Sequence, residues 1–351
     1  MSGNQNGNND TCKSLRPPWF IRVFLDILIK VGNEGLEKVI KFEVVVENFR
    51  TLFYWMVMGV IVLGMFLTKT FTTIDHNEIL KDVFGEGNVC GYFDFPPSTY
   101  FLPFFWVWTM GFAIAYSGVS IFRIWIAYEE KKIESQTGEN WTRRFLIFAH
   151  IYFIFSVMLF TTSIAVQPDR EDPATMIFHT VPYVNWKIGL FLLQVAVVQF
   201  GVNVAWKDFK FSKWFVALCW FHVVLQGIVM VTSNIFIANA LLDMGPAPCK
   251  SASVVLRAGT GHITVLPSNV AGLCGNGYWW SVRDDTMKTL QNIFTNLASA
   301  LLNFVFPLIQ SQYLSWKGCK EKSSTHKVII SFSDNKDSVM TTQSIKQQAE
   351  K

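Results

Sequence analysis

Charge is what this sequence has least of. Asp, Glu, Lys and Arg together make up 16% of its 351 residues, against roughly a quarter in soluble domains. So few polar residues cannot coat a water-soluble fold of this length. Recognisable catalytic and cofactor motifs are missing too: there is no Walker loop, HExxH, GxSxG or paired CxxC, and no nucleophile lies in register with a base. A Gly-Thr-Gly at Gly259 to Gly261 has no strand–helix setting and is not a phosphate loop. The net charge of +4 is small and its basic residues are not clustered, which speaks against a nucleic-acid partner. The opening stretch, Met1 to Thr11, is polar and lacks the apolar run of a cleaved signal peptide. No catalytic residue and no metal site is nominated, and the non-enzymatic reading is preferred.

What is present is apolar length. Hydrophobic residues make up 51%, including 32 Phe and 13 Trp. A bilayer core needs roughly 20 apolar residues per helical crossing. Six stretches qualify: Thr51–Phe71, Tyr100–Ala127, Phe145–Val166, Tyr183–Ala205, Trp214–Leu242 and Met287–Leu314. The expected fold is therefore an all-α polytopic bundle of six transmembrane helices. Basic residues set its orientation. Lys13 to Arg50, Lys131, Lys132, Arg143, Arg144, Lys207, Lys210, Lys213 and the tail lysines from Lys317 onward all fall on one side. The opposite side holds only Lys81, Arg170, Lys250, Arg257 and Arg283. The positive-inside rule makes the first side cytosolic, with both termini on it. Lys69, Arg123, Lys187 and Lys288 lie within or at the edges of spans, and Arg123 is expected to snorkel to the headgroups. No span carries a carboxylate in its middle, which weakens ion-coupled transport.

Four regions follow. Residues 1–16 form a disordered N-terminus and residues 17–50 a cytosolic region with an amphipathic interfacial helix. The transmembrane domain spans residues 51–315, and residues 316–351 are a disordered cytosolic tail. The sequons at Asn9 and Asn140 fall on the cytosolic side, where they stay unmodified. In the outer loops, Cys249 and Cys274 bracket one segment and are the candidate disulfide, with Cys90 either left over or paired to one of them. Cys319, just past the last span, is a candidate palmitoylation site. Cys12 and Cys219 read as ordinary thiols.

Polar residues inside spans are costly and face the bundle interior. The last three spans carry Gln194, Gln199 and Asn203, then His222, Gln226, Asn234 and Asn239, then Gln291, Asn292, Asn296, Asn303 and Gln310. Gln194, Gln199, Asn203, His222, Gln226, Asn234, Asn292, Asn296 and Asn303 are the candidate polar cavity, for a headgroup or small solute. The competing reading is plain interhelical hydrogen bonding. His150 and His222 stand at similar depth on different spans, so an alternative is a haem-binding oxidoreductase with these two as axial ligands; on the preferred reading there is no cofactor. A further alternative is a channel or transporter for a small polar solute. His179, beside Asp169, Glu171 and Asp172, reads as an interfacial histidine.

The Cys90-Gly91-Tyr92-Phe93-Asp94-Phe95-Pro96-Pro97-Ser98 stretch ahead of the second span, His179 ahead of the fourth, and Asp284–Asp285 ahead of the sixth resemble a family of six-pass membrane proteins. That family includes the damage-regulated autophagy modulators (DRAM) and the GPI-anchor lipid-remodelling factors. The resemblance covers roughly Thr51 to Leu314; the long last outer loop, Asp243 to Thr286, departs from it. It implies lipid handling, GPI-anchor maturation or autophagy-linked trafficking. Implied partners are membrane lipids and a membrane protein, and the implied location is the Golgi, ER, lysosome or plasma membrane.

Overall fold

The computed structural model describes residues 40–71, 90–130, 137–168, 173–206, 211–242 and 285–320, together with short strands at 30–31, 244–246, 254–257, 263–266, 279–281 and 327–332. The fold is an all-α bundle of six helices, each long and apolar enough to cross a membrane. The chain is thus a multi-pass integral membrane protein. The helices are α1 (Val46–Phe71), α2 (Ser98–Glu130), α3 (Thr137–Ala165), α4 (Pro173–Phe200) and α5 (Lys213–Leu242). The sixth span, Thr289–Gly318, is assembled from α6 (Asp285–Gln291), two π-helical stretches at Asn292–Ala298 and Leu301–Val305, and α7 (Phe306–Lys320).

Local sequence explains where these helices start. Pro173 opens α4, where its missing N–H costs nothing. Ser212 caps α5 by accepting the Phe215 N–H at 3.2 Å. The first helix begins at Val46, ahead of the apolar run, so Glu47 and Arg50 lie inside it rather than in a cytosolic flank. This corrects the placement of Arg50, which is fully buried.

Helices α3 and α4 pack along small residues. Ala149 and Ser156 recur at a spacing of seven on α3, as do Gly189 and Ala196 on α4, and all four are buried. A Cβ on Gly189 would run into the Ser156 side chain. Close approach through small side chains is how helices associate when lipid offers no hydrophobic driving force.

The two flanks meet beyond the ends of the first and sixth spans. Strand β2 (Ile40–Val45) pairs antiparallel with β7 (Lys327–Phe332), Ile40 opposite Phe332 and Val45 opposite Lys327, and β1 (Lys30–Val31) adds to the other edge of β2. Within the expected interfacial helix of residues 17–50, the described residues are therefore strands and the start of α1. Within the expected disordered tail, residues 327–332 are a strand. Both segments are rich in Val, Ile and Phe set against Lys, Glu and Ser at short spacing, which suits a strand as well as a helix face. We call this end of the bundle the terminal end and the opposite one the loop end. In the last loop, β3 (Met244–Pro246) pairs with β6 (Trp279–Ser281) and β4 (Val254–Arg257) with β5 (Ile263–Leu266). Residues 1–16, Asn9, Cys249, Cys274, Asp169, Glu171 and Asp172 lie outside the described residues, as do the side chains of Asn140 and Cys319. No disulfide forms among the described residues.

Candidate functional site

The loop end is closed by the segment between α1 and α2. A short 3-10 turn at Cys90–Tyr92 drops Phe93 onto α1 at Gly64, where a Cβ would stand 2.7 Å from the Phe93 ring. Only glycine admits that contact. Thr68 Oγ1 donates to the Tyr92 carbonyl at 2.5 Å and lies 2.7 Å from Ser98 Oγ, which bonds the Gly64 carbonyl at 3.1 Å. Gln167 Nε2 donates to the Asp94 carbonyl from the other side. The plug is thereby tied to α1, α2 and the end of α3.

Beneath the plug lies an aromatic chamber of about 110 Å³, enclosed by α1, α2, α3, α4 and the sixth span. That is of the order of the roughly 150 Å³ apolar cavity known to hold benzene. Its wall is a continuous aromatic stack. Phe160 lies against Trp186 at 4.2 Å, Trp106 meets both edge-on at 4.8 and 5.4 Å, and Trp186 meets Phe304 at 5.3 Å. Trp106 and Trp186 are buried, and neither indole N–H has an acceptor. Two orphaned donors in an apolar wall are unusual, because buried polar groups are nearly always satisfied.

A second, smaller cavity of about 10 Å³ adjoins the chamber; Cys90, Tyr183 and Asn296 line both. His179, Thr180, Ile237 and Thr295 complete its wall. His179 is not the interfacial histidine expected from sequence: it is buried on α4, with Nδ1 2.9 Å from the Val166 carbonyl and its own carbonyl accepting from Ser163 at 2.5 Å. His179 Nε2, Thr180 Oγ1 and Thr295 Oγ1 all lack partners. Next to this site, Lys187 of α4 is 1% exposed. Its Nζ donates to Ser233 Oγ of α5 and sits 5.3 Å from the Tyr183 ring centroid.

The polar residues singled out in the last three spans do not share one cavity. Toward the terminal end, Gln310 Oε1 accepts from Gln194 Nε2 at 2.8 Å and from Arg50 Nη1 at 3.2 Å, while Gln310 Nε2 donates to Cys219 Sγ at 3.2 Å. Arg50 Nε also pairs with Glu47 at 2.7 Å, and its guanidinium lies 5.8 Å from the Tyr116 ring centroid. Nearer the middle, Gln226 Nε2 donates to Asn303 Oδ1 and Asn303 Nδ2 to Ser299 Oγ, at 2.8 and 2.7 Å. Asn296 Nδ2 donates to Asn292 Oδ1 at 2.7 Å, and Asn296 alone of the nominated set lines the chamber. Asn234 is half-buried with its Oδ1 unpartnered. Gln199 is half-buried, and Asn203 and Asn239 are exposed.

The two histidines of the haem alternative face different neighbours. His150 Nδ1 is 3.3 Å from Ser117 Oγ and lines a cavity of about 20 Å³ with Glu47 and Arg123. His222 stacks on Phe306 at 3.9 Å and its Nε2 is 2.8 Å from the Leu302 carbonyl. None of the described cavities brings the two rings together. Arg123, expected to snorkel, lies with its guanidinium 5.6 Å from the Phe200 ring centroid. No cluster of three or more metal-ligating side chains occurs among the described residues.

Sequence reasoning missed the aromatic wall and the roles of Lys187, Thr180 and Thr295. Lys187 carried the one available signal, a cation in the body of an apolar run. Comparison of this chain with protein-family models, with curated proteins and with solved structures finds no match to any of them.

Proposed function

We infer that the protein handles membrane lipid, taking one hydrocarbon chain into the aromatic chamber between α1, α2, α3, α4 and the sixth span. The observation that carries this reading is the pair of buried indole N–H groups, Trp106 and Trp186, left without acceptors in a mostly apolar wall. An apolar chain with an oxygen acceptor along or near its end satisfies both features. Ligand sites of this kind are mostly apolar with a few convergent polar groups. Gln194 bonds Gln310 and Gln226 bonds Asn303 across helices, which favours packing over a solute path. Lipid handling is also what the six-pass resemblance implies, with GPI-anchor maturation or autophagy-linked trafficking, in the endomembrane system or plasma membrane, as the processes served.

Ala300 lines the chamber, so Ala300→Phe should fill it. Protein purified in mild detergent is expected to retain a lipid species enriched over the bulk membrane, and Ala300→Phe to lose that enrichment, as read by lipid extraction and mass spectrometry. Bulk-like lipid on both proteins would sink the reading.

A further inference from the structure

The chamber accounts for a chain but not for the polar groups gathered at its loop end. Three side chains that are each 2% exposed, His179, Thr180 and Thr295, place unpartnered atoms around the small adjoining cavity. Buried polar atoms without partners are costly, so three around one cavity indicate a shared partner. Its volume, about 10 Å³, admits a group about the size of a water molecule. A carboxylate, planar and joined to a single chain, can place one oxygen there with its carbon toward the chamber, whereas a tetrahedral phosphate diester with two substituents needs more room.

Charge narrows the choice. Lys187 is buried in the body of α4, and among the described residues no carboxylate bears on it. Its neighbours are Ser233 Oγ and the Tyr183 ring. Tyr183 lines the small cavity, and the Lys187 Nζ is 5.3 Å from the centre of that ring. A buried lysine without a counter-ion gains its charge most readily when an anion is brought near it.

Resting on the lipid reading above, we propose that the occupant is a long-chain carboxylic acid. Its carboxylate oxygen sits in the small cavity, accepting from the Thr180 and Thr295 hydroxyls, with Lys187 near them as counter-charge. Its chain runs past Tyr183 and Asn296, which line both spaces, into the aromatic chamber.

The test uses delipidated full-length protein in detergent and three probes of equal chain length: palmitate, hexadecanol and methyl palmitate. Palmitate is expected to bind about tenfold or more tighter than the two uncharged probes, the ratio that one charge-assisted contact commands. Lys187→Met is expected to bring palmitate down to the hexadecanol level, and Lys187→Arg to preserve the preference. Thr295→Val, nearly isosteric, is expected to weaken palmitate several-fold, so the test stands even where Lys187→Met does not fold. Equal binding of all three probes, indifferent to these variants, overturns the carboxylate site while leaving the chamber intact. Binding of none of them overturns both.

Discussion

Arg50 and Glu47 put an ion pair into the first turn of a membrane span, with Arg50 fully enclosed and Glu47 nearly so. Such a pair matters mostly through what happens when half of it is removed: an uncompensated buried charge costs about 3–5 kcal/mol. Glu47→Gln is therefore expected to lower thermal stability in detergent by that order. The double variant Glu47→Gln/Arg50→Met should recover most of the loss, because Gln310 keeps its bonds to Gln194 and Cys219. A double variant no better than the single one would contradict the account. Arg50 also shows where reading the sequence stops. It stands next to the apolar run, and a hydropathy window ends the span just after it. Beside Glu47, the partner side chains of Gln310 and Tyr116, distant in sequence, make burial tolerable.

For whole elements, the six helices were legible because crossing a bilayer demands a length and a composition that no other element satisfies. Their contacts were not. The seam between α3 and α4 depends on Gly189 facing Ser156, and neither residue announces itself in an apolar stretch. In an isolated helix Gly→Ala gains about 1 kcal/mol. Here the added Cβ meets the Ser156 side chain, and overpacking costs about 1–3 kcal/mol. Gly189→Ala is thus expected to lower the melting temperature, and Gly189→Ala/Ser156→Gly to restore it. A single variant as stable as the parent would show that the helices separate freely. The π-helical stretches of the sixth span were equally hidden, although they carry Thr295, Asn296, Asn303 and Phe304. A change of helical winding leaves no mark on composition. The same limit hid the chamber: Trp106, Phe160, Trp186 and Phe304 are ordinary apolar residues until four spans bring them together.

At the scale of the whole molecule, the asymmetry of Lys and Arg fixes an expected sidedness, with the terminal end in the cytosol. In sealed cells, a protease added outside should cleave within residues 243–286 and leave the connector at residues 131–136 intact. The reverse pattern would invert the molecule and move the chamber's plugged mouth to the cytosolic leaflet. Large apolar side chains such as Phe66, Phe104, Trp108, Phe155 and Ile228 project outward, as a lipid-facing surface requires.

The sixth span is the last to be synthesised, yet it provides the partners of several earlier ones. Gln310 answers Arg50 and Gln194, Asn303 answers Gln226, and the Leu302 carbonyl answers His222. Until that helix arrives, the nascent five-helix intermediate holds a guanidinium short of one partner beyond Glu47 and two glutamines without their mates. Messages truncated before residue 289 should thus yield chains that carry a ready-made mark for membrane quality control, and only the finished protein erases it.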